Sequence, residues 1–209
     1  VYIDVKTITT LPARELRTGL AEVVKYGVIE DEDFFVFLEN NAHHLNTKAF
    51  EEENTLRAAL RLWQTIVVES AKIKAKVVEK DETESNLRMI LNYGHTVGHV
   101  IESLTRYRAY THGEAVSIGM VAAAMISSKL KLADQQVVER LRGLLERLGL
   151  PTEISGLPAK RIAASLLIDK KVREGRVNFV LPEKLGRVVI TNDVPVKVVK
   201  EVLREMGAQ

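Results

Sequence analysis

Cysteine is absent from this 209-residue chain, so the sequence offers neither a disulfide framework nor thiolate chemistry. Charge of one sign is also scarce, because 30 lysines and arginines are interleaved with 28 acids. The resulting net charge of +2 is too small to indicate a nucleic-acid partner. No apolar run approaches the roughly 20 residues of a membrane span. We therefore expect a globular protein that binds neither nucleic acid nor membrane, and the lack of cysteine fits a reducing compartment such as the cytoplasm.

Several signatures of metal and nucleotide enzymes are missing as well. None of the five histidines is followed by aspartate, which excludes the His-Asp doublet of helical metal-dependent phosphohydrolases. The HExxH of zinc peptidases and the ExxH of di-iron bundles do not occur. No glycine-rich phosphate-binding turn lies between a predicted strand and a predicted helix. The sequence thus argues against each of these classes.

Three of the five histidines lie close together in the sequence. His95 and His99 are four residues apart, so on a helix they share a face, and His112 follows after a loop. Imidazole is the commonest protein ligand for a borderline divalent metal. From the spacing alone, two interpretations stay open: a metal site, or three surface or hydrogen-bonded histidines.

The segment around His95 has an unusual pattern for a helical surface. Over residues 87–104 we predict a helix or helix pair, in which Arg88, Asn92, His95 and His99 follow one another at steps of four, three and four. One face would then carry a guanidinium group, an amide and two imidazoles. An ordinary core face does not have this composition, which favours a binding site.

Small residues accompany the histidines. Gly94 and Gly98 lie in the segment just described, although each glycine costs a helix about 0.5–1 kcal/mol relative to alanine. His112 opens a second helix, over residues 112–132, that is rich in glycine, alanine and serine. We predict that these helices pack against their neighbours, or against a ligand, at close range.

Two other helices carry charged residues beside or within an apolar stripe. After Pro12, which suits a first helical turn, Glu22 and Lys25 lie one turn apart beside the apolar stripe. They form either a solvated face or a functional pair in which the lysine favours the ionised glutamate that a metal requires. Lys74 interrupts the apolar series of a helix over residues 49–80, and either extends to solvent or binds a ligand.

Helical periodicity dominates the chain, and we predict a mainly α fold without an internal linker. Two β elements are expected: a short strand over residues 1–5, and a hairpin in which VNFVLP and RVVIT are joined through EKLG. Helices are predicted from residue 12 and over residues 33–46, 49–80, 87–104, 112–132, 133–148, 158–168 and 194–206.

Three blocks of the sequence stand in the order of known family signatures. They read LPARELRTGLAEVVKYGVIED, then GHTVGHVIE followed by HGEAVSIGM, then DKKVREGRVNFVLPEKLG, and they span residues 11–186. The chain thereby resembles the 3-dehydroquinate synthase family of the sugar-phosphate cyclases. The resemblance implies a dehydroquinate synthase-like fold in which residues 1–209 form the C-terminal metal- and substrate-binding domain. It also implies an N-terminal NAD-binding domain that this sequence does not include.

The resemblance further implies roles for individual positions. The implied ligands of a Zn²⁺ or Co²⁺ ion are Glu22, His95 and His112. The implied catalytic groups, near metal and substrate, are Lys25 and His99. The implied substrate contacts are Lys74 and Arg88 at a carboxylate, Asn92, His99 and one of Lys170 and Lys171 at a phosphate, and Glu84. The implied peripheral contacts to NAD are Thr7, Ile8, Thr9 and Thr10.

An enzyme of this family converts 3-deoxy-D-arabino-heptulosonate 7-phosphate to 3-dehydroquinate and phosphate in the shikimate pathway. By this resemblance we expect a cytoplasmic lyase of aromatic amino-acid biosynthesis that uses NAD, is a homodimer at full length, and has no turnover as the 209-residue chain alone. Two alternatives stay open: another sugar-phosphate cyclase on the same scaffold, and a non-catalytic helical scaffold domain with incidental histidines.

Overall fold

The computed structural model describes residues 2–51, 53–80, 87–172 and 177–209, with side chains described except at residues 87 and 167–172. Within these ranges the α-helices are α1 (Ala13–Glu30), α2 (Glu32–Asn41), α3 (Glu53–Glu79), α4 (His95–Leu104), α5 (His112–Lys129), α6 (Gln135–Arg147), α7 (Ala159–Val172) and α8 (Val196–Glu205). The strands are β1 (Phe179–Lys184) and β2 (Arg187–Thr191). Short 3₁₀ helices are Val5–Thr10, Ala42–His44, Thr47–Phe50 and Leu87–Asn92.

Helix α5 is the centre of the fold. It packs against α1, α4, α6, α8 and β1, and most of its residues between 113 and 127 are buried. A helix that is apolar around its whole circumference is expected where other elements surround it. Ile118 and Met120 are completely buried, which contributes about 1.5–3 kcal/mol for each side chain.

Small residues bring α4 and α5 together at close range. A Cβ atom on Gly119 of α5 would lie 1.9 Å from the carbonyl oxygen of Gly94, where no side chain fits. Along the same contact, a Cβ atom on Gly98 of α4 would lie 3.1 Å from the carbonyl oxygen of Ala115. The two helices are therefore antiparallel, and the predicted close packing of these small residues is confirmed.

The beginning of α5 is held by a reciprocal cap and by α1. The Thr111 hydroxyl accepts from the Glu114 amide, and the Thr111 amide donates to the Glu114 carboxylate at 2.8 Å. Arg14 of α1 donates to both oxygens of the Glu114 carboxylate, at 2.9 and 2.7 Å. A hydrogen bond of 2.6 Å joins the hydroxyls of Thr18 and Thr111. Together these contacts fix the first residue of α5, His112, against α1.

The turn after α4 contains two residues in the left-handed region. Arg106 and Tyr107 have φ angles of 54° and 57°. This conformation costs a residue with a side chain about 1–2 kcal/mol. The Tyr107 amide donates to the Glu102 carbonyl at 2.8 Å, so the turn closes on the last part of α4. From there the chain runs back along α4 and places His112 beside Glu102.

The segment predicted as a helix or helix pair over residues 87–104 is a 3₁₀ helix followed by α4. Gly94 separates them with a φ angle of +80°, which glycine adopts without the usual steric cost. The prediction of one continuous helical face is therefore wrong. Arg88 and Asn92 belong to the 3₁₀ helix that ends at Asn92, and α4 starts only at His95.

The short strand predicted over residues 1–5 is wrong for its described part. Residues 2–4 have no regular structure, and a 3₁₀ helix begins at Val5. Asp4 caps that helix by accepting from the Lys6 amide at 2.9 Å, and three threonine hydroxyls donate to carbonyls three residues earlier. Such local hydrogen bonds compete with extended backbone, which needs a neighbouring strand to pair with.

The hairpin and the remaining helices are confirmed with shifted ends. Strands β1 and β2 pair antiparallel, with Phe179 opposite Thr191, and the turn between them includes Gly186 at a φ angle of 76°. Helix α2 ends at Asn41, earlier than predicted, and the chain continues as a 3₁₀ turn. Among the described helices, none is both long and apolar enough to cross a membrane.

Candidate metal centre

Glu22, His95 and His112 come from three different helices and meet at one point. Glu22 lies in the middle of α1, whereas the two histidines are the first residues of α4 and α5. The Glu22 Oε1 atom is 3.4 Å from His95 Nε2 and 3.7 Å from His112 Nε2. Atoms at about 2.0–2.1 Å from a tetrahedral zinc ion lie about 3.3 Å from one another. The three groups thus have the spacing that one ion requires.

The Glu22 carboxylate has one satisfied and one unsatisfied oxygen. Oε2 accepts from the Lys25 ammonium group at 2.6 Å, and the Lys25 side chain is only 5% exposed. Oε1 is buried and has no hydrogen-bond partner among the described residues. A buried acceptor without a partner is costly. A cation between Oε1 and the two imidazoles would remove that cost, so this donor set fits a divalent metal.

His95 presents an unprotonated nitrogen to Glu22. Its Nδ1 atom lies 3.0 Å from the Tyr93 carbonyl oxygen, which can only accept, so Nδ1 carries the proton and Nε2 is free to bind a metal. Burial lowers the pKa of His95, and the hydrogen bond to Tyr93 opposes this without outweighing it. The positive charge of Lys25 lowers the pKa further. The neutral imidazole that a metal needs is therefore favoured.

His112 has a carboxylate partner that the sequence analysis missed. Its Nδ1 atom is 3.2 Å from Oε1 of Glu102, a residue of α4 that is only 6% exposed. A signal was present in the sequence, because Glu102 lies four residues after Gly98 and continues the buried stripe of that helix. Spacing could not reveal the contact itself, which depends on how the turn after α4 returns the chain.

A second group of residues that could bind a metal ion also includes His112. His99, Glu102 and His112 also have one ligand atom each within 4.8 Å of the others. His99 is exposed, and its ring centroid is 5.2 Å from that of His95. The first group fits an ion better, because the unsatisfied buried oxygen belongs to Glu22, whereas Glu102 already accepts from His112.

Other predicted substrate residues lie on elements that pack against α1 or α4. Lys74 is exposed on α3. Arg88 and Asn92 are exposed on the 3₁₀ helix that packs against α1 and α3. Lys170 belongs to α7 together with Lys171, but both side chains lie outside the described set. Their contacts with substrate stay predictions.

The remaining predicted positions are at the edges of the described chain. Thr7, Ile8, Thr9 and Thr10 lie in a 3₁₀ helix that packs against α3, and the three hydroxyls already donate to backbone carbonyls. Their contact with NAD stays a prediction. Glu84 lies outside the described residues.

The chain is similar to a described protein family over most of its length. Residues 19–172 match the model for the 3-dehydroquinate synthase C-terminal domain. A 3-dehydroquinate synthase from Nostoc punctiforme is 45% identical over 207 residues, which cover 99% of this chain and 55% of that protein. A 3-dehydroquinate synthase from Synechococcus sp. is 47% identical over 209 residues, which cover 99% of this chain and 54% of that protein. The chain thus spans about half the length of these relatives.

Solved structures of related cyclases share the fold. One is 2-epi-5-epi-valiolone synthase from Streptomyces hygroscopicus subsp. jinggangensis with NAD⁺ and Zn²⁺ bound, at a TM-score of 0.81 and 25% identity over 98% of this chain and 54% of that one. Another is 2-deoxy-scyllo-inosose synthase complexed with carbaglucose-6-phosphate, NAD⁺ and Co²⁺. Its TM-score is 0.74 and its identity is 26%, over 97% of this chain and 54% of that one. The sequence matches agree with the resemblance of the three sequence blocks, and the chain belongs to the 3-dehydroquinate synthase family.

Proposed function

We propose that this chain forms the metal- and substrate-binding domain of a 3-dehydroquinate synthase, which converts 3-deoxy-D-arabino-heptulosonate 7-phosphate to 3-dehydroquinate and phosphate. The observation that carries the proposal is the buried oxygen of Glu22 that has no hydrogen-bond partner among the described residues and faces Nε2 of His95 and of His112. The names of the curated relatives support this substrate. The solved cyclases that bind NAD⁺ with Zn²⁺ or Co²⁺ support the same cofactors here.

Glu22, His95 and His112 would hold the ion, and the rest of the cluster would position the substrate beside it. When bound, a divalent ion at this place supplies a Lewis acid that makes a substrate hydroxyl easier to deprotonate. The Lys25 ammonium group donates to Glu22 Oε2 at 2.6 Å and has further N–H donors for a substrate oxygen. His99 is exposed beside His95 and is available to a ligand on the open side of the cluster.

The substrate carries a carboxylate at one end and a phosphate at the other, so it needs cationic and amide donors at two ends. In the proposal Lys74 and Arg88 bind the carboxylate, because charge-assisted hydrogen bonds from lysine and arginine are the strongest available. Asn92 and His99 bind the phosphate, together with one of Lys170 and Lys171. Glu84 completes the predicted set.

When bound by another domain, NAD⁺ would supply a hydride acceptor and donor for a substrate alcohol. The sequence of this chain carries no glycine-rich nucleotide-binding turn, and only residues 7–10 are predicted to reach the cofactor. We therefore propose that activity requires an N-terminal NAD-binding domain and that the chain alone has no turnover. From the family resemblance we also propose that the complete enzyme is a cytoplasmic homodimer.

Another sugar-phosphate cyclase is the second candidate function, because two solved relatives act on other substrates by name. Their identity to this chain is 25% and 26%, against 45% and 47% for two 3-dehydroquinate synthases, which favours the first function. A non-catalytic helical scaffold is disfavoured, since the ordered partners of the two ligand imidazoles have no evident use in it.

Metal binding can be tested on the chain as it is. We expect one Zn²⁺ per chain by elemental analysis, and a gain in unfolding free energy of about 2.7 kcal/mol at a free zinc concentration of 100 times Kd. Glu22→Ala should abolish both effects. Glu15→Ala is the matched control, because Glu15 is an exposed acid on the same helix, and it should bind zinc as the unchanged chain does.

The reaction is tested with a protein that also contains the N-terminal domain. Incubation with 3-deoxy-D-arabino-heptulosonate 7-phosphate and NAD⁺ should release phosphate and give 3-dehydroquinate, identified by mass spectrometry and NMR. Formation of a different cyclitol from another sugar phosphate, with no turnover of this substrate, would replace the proposal by the second candidate. Product formed by the 209-residue chain alone would contradict the requirement for a second domain.

A further inference from the structure

We propose that Glu102 is a positioning residue that holds the His112 ring in the tautomer and orientation required for metal binding. The proposal rests on the proposed metal centre, and it concerns a residue outside the three ligands. It follows from the burial of Glu102, from the way its backbone is held, and from the nitrogen that it contacts.

Glu102 is an acid in a place where an acid is costly. It is 6% exposed, on a helix whose neighbouring residues Val97 and Ile101 are buried in the core. A buried carboxylate needs a hydrogen-bond partner to offset the loss of water. The contact of Oε1 with His112 Nδ1, at 3.2 Å, provides such a partner.

The backbone of Glu102 is fixed by the turn that follows it. Its carbonyl oxygen accepts from the Tyr107 amide at 2.8 Å and from the Thr105 hydroxyl at 3.1 Å. His112 is fixed independently, because the cap at Thr111 ties the start of α5 to α1. Two separately anchored residues therefore meet through one hydrogen bond, which leaves the imidazole ring little freedom to rotate.

The contact determines which nitrogen of His112 faces Glu22. A carboxylate oxygen accepts from Nδ1–H, so the proton resides on Nδ1 and the lone pair of Nε2 points toward Glu22 Oε1, 3.7 Å away. Among the described residues, the partner of His95 Nδ1 is the neutral Tyr93 carbonyl, so the two ligand histidines are supported unequally.

A direct ligand role is the competing explanation for a buried acid at this place. His99, Glu102 and His112 could themselves surround an ion. The two roles differ in what they need: positioning depends on a hydrogen-bond acceptor at residue 102, whereas direct ligation depends on a charged oxygen and on His99.

The experiment measures the Kd of the chain for Co²⁺ and Zn²⁺ by chelator competition, together with the visible spectrum of bound Co²⁺. Glu102→Ala should weaken binding by about 10–100-fold, the usual effect of losing the partner of a ligand histidine, and should change the Co²⁺ spectrum. Glu102→Gln keeps an acceptor oxygen and should recover much of the affinity. Glu39→Gln is the matched control and should bind as the unchanged chain does, because Glu39 is a partly buried acid of α2 that pairs with Arg140 of α6.

A second measurement does not depend on metal. The ¹⁵N shifts of His112 in the metal-free chain should show the Nδ1–H tautomer, which is lost in Glu102→Ala and largely kept in Glu102→Gln. If the alanine variant does not fold, the glutamine variant and these shifts still test the proposal, because a His112 without a preferred Nδ1–H tautomer in the unchanged chain would overturn it.

The other outcomes are equally definite. Wild-type affinity and spectrum in a folded Glu102→Ala variant would overturn the positioning role. An equal loss in Glu102→Gln and His99→Ala would overturn it in favour of direct ligation. Undiminished binding in Glu22→Ala would instead refute the proposed metal centre. Loss of metal binding in Glu22→Ala, with unchanged binding in the Glu102 variants, would support that centre and overturn only the positioning role of Glu102.

Discussion

Replacing Gly119 by alanine tests whether the candidate metal centre depends on the spacing of α4 and α5. In most helices this substitution is favourable by about 0.5–1 kcal/mol, because alanine restricts the unfolded chain more than glycine does. At Gly119 the new methyl group would lie 1.9 Å from the Gly94 carbonyl oxygen and 3.0 Å from the Gly98 amide nitrogen. Both neighbours are backbone atoms, so neither can rotate away.

The loss of stability in Gly119→Ala follows from the movement of α4 that would relieve the contact between the methyl group and Gly94. Ordinary van der Waals contact begins at 3.4 Å, so the beginning of α4 must move away from α5. Overpacking a core in this way costs about 1–3 kcal/mol. In a chain of this size that corresponds to a fall in Tm of about 2–12 °C. Because Gly94 immediately precedes His95, the same shift separates His95 from Glu22 and should weaken zinc binding.

Calorimetry and zinc competition on matched variants decide the matter. Gly143→Ala on α6 is the control, since its methyl group would meet no atom within 4 Å, and it should raise stability by about 0.5–1 kcal/mol. The reasoning is refuted if Gly119→Ala is as stable as the unchanged chain. It is also refuted if the variant is destabilised but binds zinc with unchanged affinity, because the metal centre would then not depend on the helix contact.

Two further predictions concern α1 and its neighbours. Thr111→Val removes the cap of α5 and a 2.6 Å hydrogen bond to a threonine of α1, so urea unfolding should show a loss of about 1–3 kcal/mol, whereas Thr65→Val on the exposed face of α3 should change little. Burial opposes ionisation of Glu30, but Lys76 and Lys80 outweigh it and lower the pKa of that carboxyl. Glu30→Gln should therefore cost about 0.2–1 kcal/mol at pH 7. The Glu30 carboxylate stabilises the folded chain above its unfolded pKa, and this stabilisation is lost as pH falls through the lower folded pKa. The unfolding free energies of Glu30→Gln and the unchanged chain should therefore converge in acid. A difference between them that persists in acid would contradict the ion pair as its cause.

Periodicity predicted the helices well because most of them bury one apolar stripe. Helices α6 and α8 show it clearly, and both were predicted within two residues of their observed ends. The turn residues of the hairpin were equally informative. Where local hydrogen bonds compete with periodicity, the prediction failed: the apolar residues near Val5 suggested a strand, but Asp4 and the following threonines close a 3₁₀ helix instead.

The candidate site was harder to predict, because its parts are distant in the sequence. The resemblance named Glu22, His95 and His112, and the structure brings them together, but their spacing alone left the question open. The helical face drawn through Arg88 was wrong because a single left-handed residue, Gly94, redirects the chain. Glu102 was missed because its contact with the metal centre exists only after the chain has reversed direction.

That reversal has a mechanical consequence. Arg106 and Tyr107 hold left-handed backbone angles without being glycine, and a side chain narrows the range of angles that each residue can visit. These angles help to set the path of the turn that joins the carboxylate of α4 to the imidazole that opens α5. Protein engineering that lengthens or loosens this turn would leave every candidate metal ligand in the sequence and still change the positions at which they meet.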